Sequence, residues 1–194
     1  MRIGVLGLQG AVREHLRSLA RLGVEGVAVK GVDELASLSG LVLPGGESTA
    51  IALLARGALL EELRRRATSG FPLFGTCAGM ILLAKEVEGQ KEAYIRAIDI
   101  TVARNASGRQ VQSFETSLAV EGIGPDVPGV FIRAPYITRV GRRVSVLARH
   151  DGIPVAAREK NVLVTSFHPE LTEDLRVHAF FLEIVKRYDQ EGQP

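Results

Sequence analysis

The stretch Phe71-Pro72-Leu73-Phe74-Gly75-Thr76-Cys77-Ala78-Gly79-Met80-Ile81-Leu82-Leu83 decides the fold. It reads as a short buried strand, a sharp turn and a helix, with a nucleophile-type residue at the turn in a G-x-C-x-G pattern. That is a nucleophile elbow with cysteine in place of serine. Such a turn forces the central residue into a strained backbone conformation and brings neighbouring chain close, so side chains at Gly75 and Gly79 would collide with it. The helix that follows offers N-terminal amides and a dipole that favour a thiolate and an oxyanion.

Working outward, strands and helices alternate through the N-terminal half. Arg2–Leu8 reads as a strand, and Val12, Leu16, Leu19 and Leu22 recur at helical spacing up to Gly23. Gly26–Lys30 is a strand, Val32–Leu38 a short helical piece, and Leu41–Leu43 a strand stopped by Pro44-Gly45-Gly46. Ser48–Ala67 is helical with a break at Gly57, Phe71–Gly75 a strand and Ala78–Val87 a helix. This alternation predicts a parallel sheet built from βαβ units.

After Gly89 the pattern becomes strand-rich: Ile98–Val102, Glu115–Val120, Gly129–Arg133, Val144–Ala148, Ile153–Ala157 and Val162–Phe167. One helix remains, over Glu173–Tyr188, with Thr172 as its expected N-cap. No Gly/Ser/Pro linker, repeat or low-complexity segment interrupts the chain. The expectation is therefore one α/β domain over residues 1–194, a mostly parallel sheet flanked by helices, with a β-rich second half returning to that sheet.

Composition bounds the function. The 194 residues are 46% hydrophobic and 24% charged, with a formal net charge of +2. That is the profile of a soluble globular domain. Arg64-Arg65-Arg66 and Arg142-Arg143 are short and lack interleaved aromatics, so no nucleic-acid partner is expected. Neither a secretory signal nor an apolar stretch of the ~20 residues needed to span a bilayer is present, so no membrane partner is expected either. A single cysteine cannot form an internal disulfide, which fits a cytoplasmic setting.

A catalytic cysteine needs a base, and the chain has four histidines. His15 and His178 sit within helical patterns and His150 in a turn; all three read as surface or packing residues. His168 ends the strand Val162–Phe167, at the carboxyl edge where parallel α/β sheets place their chemistry. In His168-Pro169-Glu170 the proline stiffens an extended turn, and residues two apart point to the same side. Glu170 can therefore reach His168, fix its tautomer and stabilise the imidazolium. Metal ligation by this pair is disfavoured, because the chain has no His-Glu-x-x-His, no histidine pair at ligating spacing and no second cysteine. Gly45-Gly46-Glu47-Ser48-Thr49 lacks the lysine of a phosphate loop, and Gly4, Gly7 and Gly10 make no dinucleotide fingerprint.

With Cys77 on its elbow and His168-Pro169-Glu170 near the C-terminus, the chain resembles the class I (triad) glutamine amidotransferases. Gly7-Leu8-Gln9-Gly10-Ala11-Val12-Arg13-Glu14-His15, Leu43-Pro44-Gly45-Gly46-Glu47-Ser48-Thr49, Arg104-Asn105, Gly108-Arg109-Gln110, Phe131-Ile132-Arg133-Ala134-Pro135 and Ser166-Phe167-His168-Pro169-Glu170-Leu171-Thr172-Glu173-Asp174 are similar to the glutaminase subunits of pyridoxal 5′-phosphate synthase.

The resemblance implies a flavodoxin-like fold, with Cys77 as nucleophile, His168 as base and Glu170 as its orienter. Gly45, Gly46, Glu47, Arg104, Ile132 and Arg133 would hold L-glutamine, and the amides of Gly45 and Ala78 would form the oxyanion hole. Chemistry agrees: a glutamine zwitterion needs a carboxylate such as Glu47 for its ammonium and a guanidinium such as Arg104 or Arg133 for its carboxylate. The implied partner is a (β/α)8-barrel synthase subunit that receives the ammonia, with pyridoxal phosphate as product and no cofactor or metal in this chain. Two places depart from the family: Ser107 stands where an aromatic residue is usual, and Gly89–Arg96 lacks the usual leucine-glycine-leucine run. From the residues alone, the competing reading is a cysteine-bearing flavodoxin-like redox or binding module without turnover.

Overall fold

The computed structural model describes residues 1–104 and 113–191. The first half runs β1 (Arg2–Leu6), α1 (Val12–Arg21), β2 (Glu25–Val29), β3 (Gly40–Leu43), α2 (Ser48–Leu54), α3 (Ala58–Thr68), β4 (Leu73–Thr76) and α4 (Ala78–Leu83). The second half runs β5 (Ala84–Val87), β6 (Ile98–Ala103), β7 (Ser113–Val120), β8 (Gly124–Ile132), β9 (Tyr136–Val140), β10 (Ser145–His150), β11 (Ile153–Glu159), β12 (Val162–Thr165) and α5 (Arg176–Glu191).

A seven-stranded sheet in the order β10-β11-β12-β4-β3-β1-β2 forms the frame. Its strands from β12 to β2 are parallel, while β11 lies antiparallel between β10 and β12. β3, β4 and β12 are buried along their whole length, which is why they read as unbroken apolar runs. On one face, Leu19 of α1 and Phe181 and Val185 of α5 pack with Ile3, Val5, Val42 and Phe74. On the other, Ile51 of α2, Leu63 of α3 and Met80 of α4 pack with Leu6, Leu41, Leu43 and Leu73. The loops leaving the adjacent strands β12, β4, β3 and β1 therefore emerge side by side at one carboxyl edge.

Several expectations need correction. The helix expected over Ala78–Val87 stops at Leu83, and Ala84–Val87 becomes β5, paired with β6. Cross-strand pairing there overrides a composition that suits a helix. The segment Tyr136–Val140 forms β9 against β6, a strand not anticipated although its residues favour one. Only β10, β11 and β12 of the β-rich half return to the main sheet; β5-β6-β9 and β7-β8 form two small sheets of their own. The piece expected over Val32–Leu38 shrinks to a single 3₁₀ turn, Asp33–Leu35. Thr172 does not cap α5: the helix starts at Arg176, whose amide donates to Asp174 Oδ1 at 2.9 Å, while Thr172 Oγ1 accepts from the Asp174 amide at 3.2 Å. The break at Gly57 occurs where expected, at φ +82° between α2 and α3.

Candidate active site

Cys77 sits between β4 and α4 with φ +49°, a left-handed conformation that an L-residue adopts only under constraint. Its amide donates to the Thr165 carbonyl of β12 at 2.8 Å, which pins the elbow to the neighbouring strand. The turn depends on its glycines. A Cβ on Gly79 would overlap the Leu43 carbonyl of β3, and one on Gly75 would come within 2.6 Å of the Gly79 carbonyl. α4 is thus packed backbone to backbone against the sheet, and the Cys77 side chain is presented at its edge.

His168 follows β12 and is anchored through its own amide, which donates to the Val130 carbonyl of β8 at 2.9 Å. Its Nδ1 lies 2.7 Å from Glu170 Oε1, and Glu170 is completely buried behind it. Burial alone would push His168 down. Its hydrogen bonds to Cys77 Sγ and the Glu170 carboxylate, and the negative charge on these partners, outweigh this and raise it to about 10. His168 therefore carries its proton at neutral pH. Burial would also raise Glu170, but the hydrogen bond and the charge of His168 hold it below the usual carboxylate range. The pairing is an ionised carboxylate against an imidazolium, as orientation of a catalytic histidine requires.

In front of the thiol lies a cleft of about 590 Å³ whose lining includes Cys77, Ala78, His168, Gly45, Gly46, Glu47, Arg104, Ile132 and Arg133. The fold thus brings together every residue singled out from the sequence except Glu170, which stands behind His168. Ala78 is the first residue of α4, where a helix leaves its amides without intrahelical partners.

Arg104 donates from Nη1 to Thr49 Oγ1 at 3.0 Å and from Nη2 to the Tyr94 hydroxyl at 2.7 Å. Tyr94 comes from the departing 89–96 loop, and Gln90 Nε2 donates to the same hydroxyl at 3.4 Å. Ser107, Asn105 and Gly108-Arg109-Gln110 lie outside the described residues. A larger hollow of about 780 Å³ beside this loop is lined by mixed charges, among them Arg64, Lys85, Glu86 and Glu92, with neither thiol nor histidine.

Two of these residues make contacts that the sequence did not announce. The Gly45 amide expected in the oxyanion hole donates instead to Thr76 Oγ1 at 3.0 Å, and the Gly45 carbonyl accepts from the Ala11 amide at 3.0 Å. The glycine loop is pinned at both ends of Gly45, so any donor from it must come from the next amide, that of Gly46. The Glu47 carboxylate caps α2, accepting from the amides of Thr49 at 3.4 Å and Ala50 at 3.0 Å.

The sequence reading did not assign a role to the Gln9 side chain, whose Oε1 accepts from the Glu47 amide at 2.8 Å at the cleft. Nor did it find the buried pair His15 and His178, whose rings approach within hydrogen-bonding distance beneath the triad. The burial of His15, though not its meeting with His178, is legible in helical phase, since His15 lies three residues after Val12 and four before Leu19 on the core face of α1. His150 stacks on Phe114 and Phe131, a packing role as expected. Among the described residues no group of three or more His, Cys, Asp or Glu is placed to hold a metal ion, and no helix is long and apolar enough to cross a membrane.

Residues 5–187 match the SNO glutamine amidotransferase family along almost the whole chain. The chain belongs to that family. A relative from Bacillus cereus (strain B4264), named pyridoxal 5′-phosphate synthase subunit PdxT, is 56% identical over 187 residues, covering 96% of this chain and 95% of its own. A solved glutamine amidotransferase superposes with a TM-score of 0.90 at 50% identity, over 95% of this chain and 98% of its own. A putative GMP synthase protein from Thermoplasma acidophilum, at 19% identity and a TM-score of 0.71, shares the fold over 98% of this chain and 96% of its own.

Proposed function

We propose that this chain hydrolyses L-glutamine to L-glutamate and ammonia, as the glutaminase component of a pyridoxal 5′-phosphate synthase. The observation that carries the proposal is the elbow thiol of Cys77 beside a His168 that is held by a buried Glu170 at 2.7 Å. In this mechanism the thiol proton rests on His168, and Cys77 Sγ attacks the side-chain amide carbon of glutamine. The oxyanion that forms faces the Ala78 amide and, once the loop turns, that of Gly46. His168 gives its proton to the departing nitrogen, so ammonia leaves and a thioester remains. Water then attacks the thioester, His168 takes its proton, and glutamate departs as Cys77 Sγ is released. Glu170 keeps Nδ1 of His168 protonated, so that the other ring nitrogen does the proton transfer.

Arg104 and Arg133 are proposed to hold the substrate carboxylate, and Glu47 its ammonium, with Ile132 packing on the aliphatic stem. Glutamine needs no cofactor for this chemistry; pyridoxal phosphate would be the product of the assembled enzyme. The ammonia would pass to a (β/α)8-barrel synthase subunit, in a cytoplasmic complex with this chain as one domain. Cys77 is the sole cysteine, so a redox role through an internal disulfide has no partner thiol.

The pinned glycine loop suggests how activity is controlled. The Ala11 amide holds the Gly45 carbonyl at 3.0 Å, so turning the Gly45–Gly46 peptide requires that contact to open. A partner docking against Gln9–Ala11 would be placed to do this. One oxyanion donor contributes about a hundred- to a thousand-fold in kcat, and activation should approach that size. The test is ammonia release from saturating glutamine by the chain alone and with the synthase subunit. Activation of that order supports the proposal, and equal kcat values would remove the switch.

A further inference from the structure

Behind the triad, in otherwise apolar core, lies a polar cluster that glutamine hydrolysis as derived above does not use. His15 of α1 and His178 of α5 are both fully buried. His15 Nδ1 stands 2.9 Å from His178 Nε2. The other nitrogen of His15, Nε2, faces two oxygens, Thr76 Oγ1 at 3.2 Å and Glu170 Oε1 at 3.6 Å. Glu170 Oε1 is the atom that holds His168 Nδ1, and Thr76 Oγ1 is the atom that receives the Gly45 amide. A single imidazole nitrogen therefore adjoins both the orienting carboxylate of the triad and the anchor of the glycine loop. Burying two polar rings costs free energy that apolar side chains at the same places would not.

The electrostatics of the cluster select one tautomer. Burial is the dominant influence on both rings and keeps them neutral, lowering His15 and bringing His178 down to about 3. Each neutral ring carries one N–H and one bare nitrogen. Were the proton of His15 on Nδ1, the bare lone pair of Nε2 would face the Glu170 carboxylate. With the proton on Nε2, an N–H dipole points at that anion and at Thr76, and Nδ1 accepts from the N–H at His178 Nε2. This arrangement leaves His178 Nδ1 as a bare acceptor, and among the described residues that atom is, like Glu170 Oε2, buried without a hydrogen-bond partner. The charged or titratable groups acting on His15 are Glu170, His168 and Glu14; those acting on His178 are His15 and Glu170.

We propose that His15 and His178 are positioning residues for glutamine hydrolysis: His178 fixes the tautomer of His15, whose Nε2–H holds Glu170 and Thr76 together as one buried node behind the triad. The inference rests on the glutaminase function proposed above. Neither ring touches substrate. The node joins Glu170, which sets the base, to Thr76, which sets the glycine loop, so a rotation in that loop is felt at His168.

The first test is nitrogen-15 NMR of the full chain with labelled histidines. His15 and His178 should each carry their proton on Nε2, and a proton on Nδ1 of His15 would overturn the proposal without any variant being made. The second test is His178→Phe, which keeps a ring but removes the donor, set beside His178→Gln, which restores an N–H. With the synthase subunit present, His178→Phe should lose about ten- to a hundred-fold in kcat at unchanged KM, by analogy with the loss when a group that orients a metal-ligating histidine is removed. The downfield Nδ1–H resonance of His168 should move in that variant, although His178 does not touch His168. His178→Gln should recover most of the kcat. A folded His178→Phe with wild-type kcat and an unmoved His168 resonance overturns the node while leaving the triad intact. A wild-type chain that releases no ammonia with its partner overturns the glutaminase function itself, and the node's role with it.

Discussion

The two walls of the cleft are built by different parts of the chain and held by different forces. The triad wall comes from the parallel sheet: Cys77 follows β4 and is pinned by a backbone hydrogen bond to β12, and His168 follows β12, is pinned by one to β8 and is backed by buried Glu170. The other part of the lining comes from the small sheets. Arg104 follows β6, Ile132 ends β8, and Arg133 follows it with φ +43°. These side chains are exposed or half-buried and are steered by side-chain contacts such as Tyr94 to Arg104. The lesson is a division of labour. A rigid buried wall suits bond making and breaking, where small misplacements are costly, and a more open wall suits holding a substrate that must enter and leave. Variants of the first wall should change kcat, and variants of the second should change KM.

The largest effect is expected at the nucleophile. Cys77→Ala should lose ammonia release by roughly a million-fold, the scale for removing a nucleophile that works as part of a triad. Circular dichroism should remain that of the wild type, because the side chain lies at the edge of the sheet. Normal turnover in the folded variant would break the comparison at its centre.

Gly45→Ala probes how tightly the triad wall is fitted. The added Cβ would overlap the His168 ring at Cε1 and come within 2.8 Å of Nδ1. Displacing the imidazole by about 1 Å should reduce kcat about a hundred-fold. Steady-state kinetics that showed a KM effect alone would mean that the glycine loop belongs to the binding wall.

The charge on His168 also couples the triad wall to stability. Its folded value, about 10, lies above the ordinary histidine value of 6.5, so its contribution is complete below about pH 6.5 and is lost as pH rises toward 10. The Tm difference between wild type and His168→Asn should therefore shift against the wild type across that interval. A pH-independent difference, measured by thermal melts in matched buffers, would show that the imidazolium is not favoured by the fold.

The smallest effect is expected on the open wall. Tyr94→Phe removes the acceptor for Arg104 Nη2 and leaves the contact from Nη1 to Thr49 in place. KM for glutamine should rise a few-fold, in line with one hydrogen bond to a charged group discounted for solvent, while kcat stays put. A matching fall in kcat would merge the two walls into one catalytic unit.

How much was legible in advance follows the same boundary. The elbow Gly75-Thr76-Cys77-Ala78-Gly79 and the triplet His168-Pro169-Glu170 are local signals, because glycine at a close approach and a residue two places along an extended turn are properties of short chain. Strands buried on both faces are likewise recognisable as apolar runs, so β1, β3, β4 and β12 lay in plain view. Which sheet a half-exposed strand joins is not a local property. Ala84–Val87 and Tyr136–Val140 become strands because β6 is there to pair with them, and no periodicity within either segment announces that partner. Backbone hydrogen-bond direction at Gly45 and the meeting of His15 with His178 were equally out of reach. Each depends on residues far apart in the chain, and only the packing of α1 and α5 against the same sheet face brings the two histidines together. Sequence alone therefore singled out the proposed reacting groups and determined the strands that carry them. Tertiary structure decided which amides are free, which carboxylate is held from behind, and how the two walls close on one cleft, because these are set by long-range packing and not by neighbours along the chain.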